Sequence, residues 1–92
     1  MKRDTIDNVR TQLYDGHLDE AELCLTRMLH EDEQDSDVHY WLGNLHRQRN
    51  NWKLALQCYA KAIELNPHSE ANEAREMLLS IVQFRDVQRY NV

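Results

Sequence analysis

The chain has 92 residues, of which 41% are hydrophobic and 29% charged, with a formal net charge of -5. That length gives one domain rather than two, and that composition belongs to a folded protein rather than a disordered one. Lys and Arg form no cluster of the kind a nucleic-acid surface needs, and no stretch approaches the roughly eighteen apolar residues of a membrane span or holds the apolar core of a secretory signal.

Only two glycines and one proline interrupt a sequence rich in Leu, Ala, Glu, Gln and Arg, which favours helices and argues against a sheet. Ile6, Val9 and Leu13 recur at helical spacing and predict a first helix from about Asp4 to Tyr14, with Asp4 or Thr5 as its cap. Asp15, Gly16 and His17 break the pattern. A second helix is expected from about Leu18 to His30, with Leu18, Ala21, Leu25, Met28 and Leu29 on one face and Asp19, Glu20 and Glu22 in the first turn, where the helix dipole favours them. Glu31 to Asp37 reads as a polar connector whose Ser36 or Asp37 caps a third helix, about Val38 to Arg49, carrying Tyr40, Trp41, Leu42 and Leu45.

Asn50 and Asn51 stop that helix. The fourth should run from about Trp52 to Leu65 and end at Asn66 and Pro67, because proline cannot continue the hydrogen-bond ladder. A fifth, from near Ser69 to about Phe84, has a stripe of Ala71, Ala74, Leu78, Ile81 and Val82, followed by a tail of mixed character. The fold class read from this pattern is all-α, with each short turn making neighbouring helices antiparallel.

Charge is uneven along the chain. Residues 1–37 hold eleven acids against four bases, whereas residues 38–92 hold five acids against seven bases. Such a split can orient a partner or a second copy of the chain. Cys24 and Cys58 fall on packed helix faces, where free cysteines behave as small hydrophobes, and they fit a reducing, cytoplasmic compartment. Of the five histidines, His39 and His46 can share a helix face, but no HExxH motif and no tight Cys/His cluster accompanies them, so no metal is expected. With no nucleophile elbow and no glycine-rich phosphate loop, neither a cofactor nor an enzymatic activity is expected.

The interval between segments repeats. Gly16, Ala21, Cys24, Leu25 and Met28 lie thirty-four residues before Asn50, Ala55, Cys58, Tyr59 and Ala62, the period of a helix-turn-helix repeat. Gly43 lets two helices approach, Ala55 and Ala62 keep the crossing tight, and Tyr59 fills the gap between pairs. Leu42, Gly43, Trp52, Ala55, Tyr59, Ala62 and Pro67, in this order and spacing, resemble a tetratricopeptide repeat. In that register one repeat covers residues 36–69, and a weaker one covers about 2–35 and matches through Gly16, Leu18, Ala21 and Leu25. The weaker repeat has Asn8 and Val9 where the stronger has Leu42 and Gly43. Residues 70–92 supply a capping helix and tail, and Phe84, Arg85, Asp86, Tyr90 and Asn91 resemble the closing segment of small tetratricopeptide proteins of Bacteroidetes-type bacteria.

The resemblance implies a concave surface lined by the first helix of each repeat. It places there Arg3, Ile6, Asp7, Arg10, Leu13 and Tyr14, then Asp37, Tyr40, Trp41, Asn44, Arg47 and Gln48, then Ala71, Arg75, Leu78 and Val82. The partner-binding residues expected from this are Arg10, Tyr14, Tyr40, Trp41, Asn44, Arg47, Arg75 and Leu78. Tyr40 and Trp41 turn by about 100° relative to one another, so both cannot enter one core with Leu42 and Leu45. Some members of the family grip a terminal carboxylate at positions that here hold Ile6, Arg10, Trp41, Ala71 and Arg75; only Arg75 matches plainly and Arg10 can substitute, so capture of that kind is not expected. The expected function is a protein- or peptide-binding adaptor, with no nucleic-acid or membrane partner. The alternative is a scaffold module that associates with itself.

Overall fold

A computed structural model describes residues 4–90, with side chains described over residues 4–83. Arg3 and the closing-segment residues Phe84, Arg85, Asp86, Tyr90 and Asn91 lie outside the described side chains. The order is α1 (Ile6–Tyr14), α2 (Leu18–Glu31), α3 (Ser36–Gln48), α4 (Trp52–Leu65) and α5 (Ala71–Tyr90). The architecture is therefore all-α helix-turn-helix repeat packing, closed by a capping helix. Consecutive helices pack on one another, and α1 also reaches α3.

Thr5 caps α1, its Oγ1 accepting from the Asn8 N–H at 3.2 Å. Helix α3 starts two residues earlier than the sequence suggests, because Asp35 rather than Ser36 or Asp37 is the cap; its Oδ1 accepts from the Asp37 N–H at 3.0 Å. The bounds of α4 agree with the sequence reading, with Asn51 as cap. Helix α5 begins after Ser69, whose Oγ accepts from the Ala71 N–H at 3.0 Å, and it continues past the expected end at Phe84 to Tyr90. Nothing between residues 71 and 90 is a glycine or a proline, so no breaker stops it.

The turns repeat as faithfully as the helices. Between α1 and α2, Gly16 (φ 82°) takes the left-handed conformation, and between α3 and α4 Asn50 (φ 63°) takes it thirty-four residues later. The His17 N–H donates to Gln12 O at 2.8 Å, and the Asn51 N–H donates to His46 O at the same distance. Each closes a helix C-terminus with the 6→1 bond of the Schellman motif. The ends of α2 and α4 correspond in the same way: the Asp32 N–H reaches Met28 O, and the Asn66 N–H reaches Ala62 O.

Two apolar clusters form the interior. Val9, Leu13, Ala21, Cys24, Leu25, Val38 and Leu45 make the first, among α1, α2 and α3. Ala55, Tyr59, Ala62, Ala71, Ala74 and Leu78 make the second, to which Tyr40 of α3 adds. Trp41 packs on the first cluster and Tyr40 on the second, so the two adjacent aromatics of α3 divide between cores as helical rotation requires. Both cysteines are free, Cys24 buried and Cys58 half-buried.

Helices α3 and α4 approach closely at Gly43. A Cβ placed on Gly43 would collide with Cε1 and Cδ1 of Tyr59, whose ring lies over the glycine. At the corresponding places in the preceding repeat stand Val9 and Leu25, both fully buried in one cluster. A larger residue on the first helix is thus matched by a smaller one on the second, which conserves volume without conserving residues. Polar contacts join the repeats: Gln48 Nε2 donates to Leu13 O at 2.8 Å, and Arg49 pairs with Asp19 at 2.6 Å and Glu22 at 3.1 Å.

Gly43→Ala should destabilise the fold by about 1–3 kcal/mol through overpacking against Tyr59, read as a lower urea midpoint. Asn50→Gly should leave the thermal midpoint unchanged or raise it, because glycine adopts positive φ freely. Asn50→Val should lower stability by about 1–2 kcal/mol at the same site.

Candidate partner-binding surface

Helices α1, α3 and α5 present their flanks to a shared concave face. Arg10, Leu13, Tyr14, Tyr40, Trp41, Asn44, Arg47 and Gln48 line a groove of about 510 Å3 between α1 and α3. Every one of them was expected on this face. The groove continues toward the start of α3, where Ile6, Arg10, Asp37, Tyr40 and Trp41 meet Asn66, His68, Ser69 and Glu70. On the side of α5 it is lined by Tyr40, Asn44, Arg47, Glu70, Glu73, Ala74 and Met77.

The floor is aromatic and rigid. Tyr40 meets Trp41 edge-on with ring centroids 5.3 Å apart, and it lies 6.1 Å from the Tyr59 ring behind it. The Arg10 guanidinium sits 5.4 Å above the Trp41 ring, a cation–π contact that holds the charge over the groove. Tyr14 stands at the rim and is 91% exposed. An aromatic so exposed has no packing role, which separates it from Tyr40 and Trp41, whose rings also build the cores.

Beneath the floor, the Tyr59 hydroxyl donates to Asn44 Oδ1 at 2.6 Å in a buried bond. Asn44 is only 8% exposed, so its carboxamide is engaged in holding α3 against α4 as well as edging the groove. Burial pushes the Tyr59 phenol from the ordinary value of 10.0 up to about 12, while Arg47 pulls weakly in the opposite direction.

Helix α5 departs from the expected register. Leu78 is 1% exposed and belongs to the second core, so it offers nothing to a partner. Arg75 is exposed but is not among the residues lining the groove. The reason is that α5 lacks a following helix of its own repeat among the described residues. Its stripe of Ala71, Ala74, Leu78 and Val82 is spent on the second core, leaving Glu70, Glu73 and Met77 toward the groove. Met77 occupies the place that Gly43 holds in α3 and is 61% exposed, as a residue with no helix across from it would be.

Of the remaining residues expected to pack the repeats, Ala21, Leu25, Ala55, Tyr59 and Ala62 are fully buried, Leu42 lies against the first core, and Gly16 and Pro67 lie in exposed turns. Among the described residues, no group of three His, Cys, Asp or Glu side chains is placed to hold a metal ion. No helix among them is long and apolar enough to cross a membrane.

Repeated helix pairs with a grooved inner face define the class of helical-repeat proteins. Residues 36–69, which span α3 and α4, match the family described as Tetratricopeptide repeat. No curated protein and no solved structure gives a significant match.

Tyr59→Phe should leave Asn44 Oδ1 without its donor and cost about 1–2 kcal/mol. The native fold keeps this phenol protonated above the pH at which the unfolded chain loses the proton. The associated stability is therefore complete below pH 10 and falls away as pH rises toward 12. Urea titrations across that window should show a shallower alkaline loss in Tyr59→Phe than in the parent.

Proposed function

We propose that the chain is a protein- or peptide-binding adaptor that works through the concave groove of α1, α3 and α5. The observation that carries this reading is the convergence of Tyr14, Tyr40, Trp41, Arg10 and Arg47 on one groove. Aromatic and arginine side chains on rigid helices are the composition of interface hot spots. Tyr14 favours the reading most, because a tyrosine left almost wholly in water gains nothing from the fold.

A cytoplasmic setting fits two free cysteines, and a bacterial source rests on the likeness of the closing segment. Self-association, through the acidic first part of one copy and the more basic remainder of another, is the competing reading and gives a different result in the same experiment.

Because Tyr40 and Trp41 also pack the cores, the informative substitution is Tyr14→Ala. It should leave the helical circular dichroism spectrum and urea midpoint unchanged. In affinity capture from a bacterial lysate, a protein retained by the parent should be lost or reduced about tenfold with Tyr14→Ala, as for a hot-spot aromatic. Equal retention by both would remove the groove from the binding event, and recovery of the chain alone would favour self-association.

A further inference from the structure

Charge is distributed along the groove in a way that specifies what it receives. The part between α1 and α3 is lined by Arg10 and Arg47 and by no carboxylate. This occurs on a chain whose net charge is -5. Arg47 is partly buried, and among the described residues no carboxylate lies within ion-pair distance of it. Arg10 has only the solvent-exposed Asp7 at 3.4 Å, a contact of little strength.

Apolar surface lies directly beside these charges, on Leu13, Tyr14 and Trp41. Carboxylates line the adjoining parts of the groove, Asp37 and Glu70 beside Arg10 near the start of α3, and Glu70 and Glu73 beside Arg47 on the flank of α5.

We infer that the Arg10 and Arg47 half of the groove takes a protein segment in which Asp or Glu side chains flank a large apolar residue. This rests on the concave face being the binding face and adds the chemistry of its partner. The apolar residue lies against Tyr14, Leu13 and Trp41, and the flanking carboxylates accept from the two guanidinium groups. The carboxylates are those of side chains within a segment, so the partner needs no free C-terminus.

The test is fluorescence anisotropy of the full chain with a short fluorescein-labelled peptide, amidated at its C-terminus, in which Asp and Glu flank Phe and Leu. Its counterpart carries Asn and Gln in place of the acids. The acidic peptide should bind at least about tenfold more tightly than the amide peptide, and this advantage should shrink as NaCl is raised from low to physiological concentration. Arg47→Gln should remove most of the advantage. The exposed Arg10→Gln should reduce it without loss of helicity, which keeps the test informative if Arg47→Gln fails to fold, and Arg75→Gln should leave it unchanged.

Equal binding of both peptides, or an advantage that survives Arg10→Gln and Arg47→Gln together, would overturn the acidic chemistry while leaving the groove as the binding face. Failure of both peptides beside a Tyr14-dependent capture from lysate would do the same. Failure of both peptides together with Tyr14-independent capture would instead remove the groove itself.

Discussion

The contact on which the rest of the molecule depends is Tyr59 lying across Gly43. The absence of a side chain at Gly43 brings α4 close enough for the phenol to pass over α3 and reach Asn44 on its other side. That bond satisfies a buried hydroxyl and a buried carboxamide together, and each would be expensive alone. It also supports Tyr40, whose ring lies between Tyr59 and Trp41. The groove floor is thus the outer layer of a stack that begins at a glycine. Its rigidity comes from packing, which lowers the conformational entropy lost when a partner binds.

The preceding repeat reaches a comparable geometry by other means. Val9 and Leu25 share between them the volume that Gly43 and Tyr59 share, and no buried polar bond is needed. The place of Asn44 is taken there by Arg10, which is free of the helix pair below it and lies over Trp41. One substitution within a repeating frame therefore turns a packing position of α3 into one that lies over the groove in α1. Helical repeats allow this because each position recurs in an equivalent setting, so it can be structural in one copy and functional in the next.

Most of the architecture was legible from spacing. Helix existence and the buried faces of α1, α2 and α4 follow from a 3.6-residue period with few breakers, whereas that period shows only that Tyr40 and Trp41 cannot share one core, and the structure gives each a core of its own. The lining between α1 and α3 was legible because both helices have neighbours that fix their rotation. Helix α5 was not, because among the described residues nothing packs on its far side. Its apolar stripe alone sets how it is rolled, and Leu78 went to the core while Met77 and Glu73 went to the groove. The start of α3 was misplaced by two residues because Asp35, Ser36 and Asp37 are all competent caps, and only backbone geometry chooses among them. Helix α5 runs past the expected end at Phe84 because no glycine or proline there terminates it, and mixed composition alone does not.

Helix α3 belongs to both cores at once, giving Val38, Leu45 and Trp41 to one and Tyr40 to the other, while Gln48 and Arg49 fasten its end to the preceding repeat. In a linear array, each unit senses only its neighbours, and the strength of the shared element decides whether units melt singly or together. With α3 common to both, the two halves are thermodynamically linked, and unfolding either one strips the other of a wall. Any ligand held on the exposed side of α3 would draw on that same linkage, raising the melting of the whole chain rather than of the segment it touches.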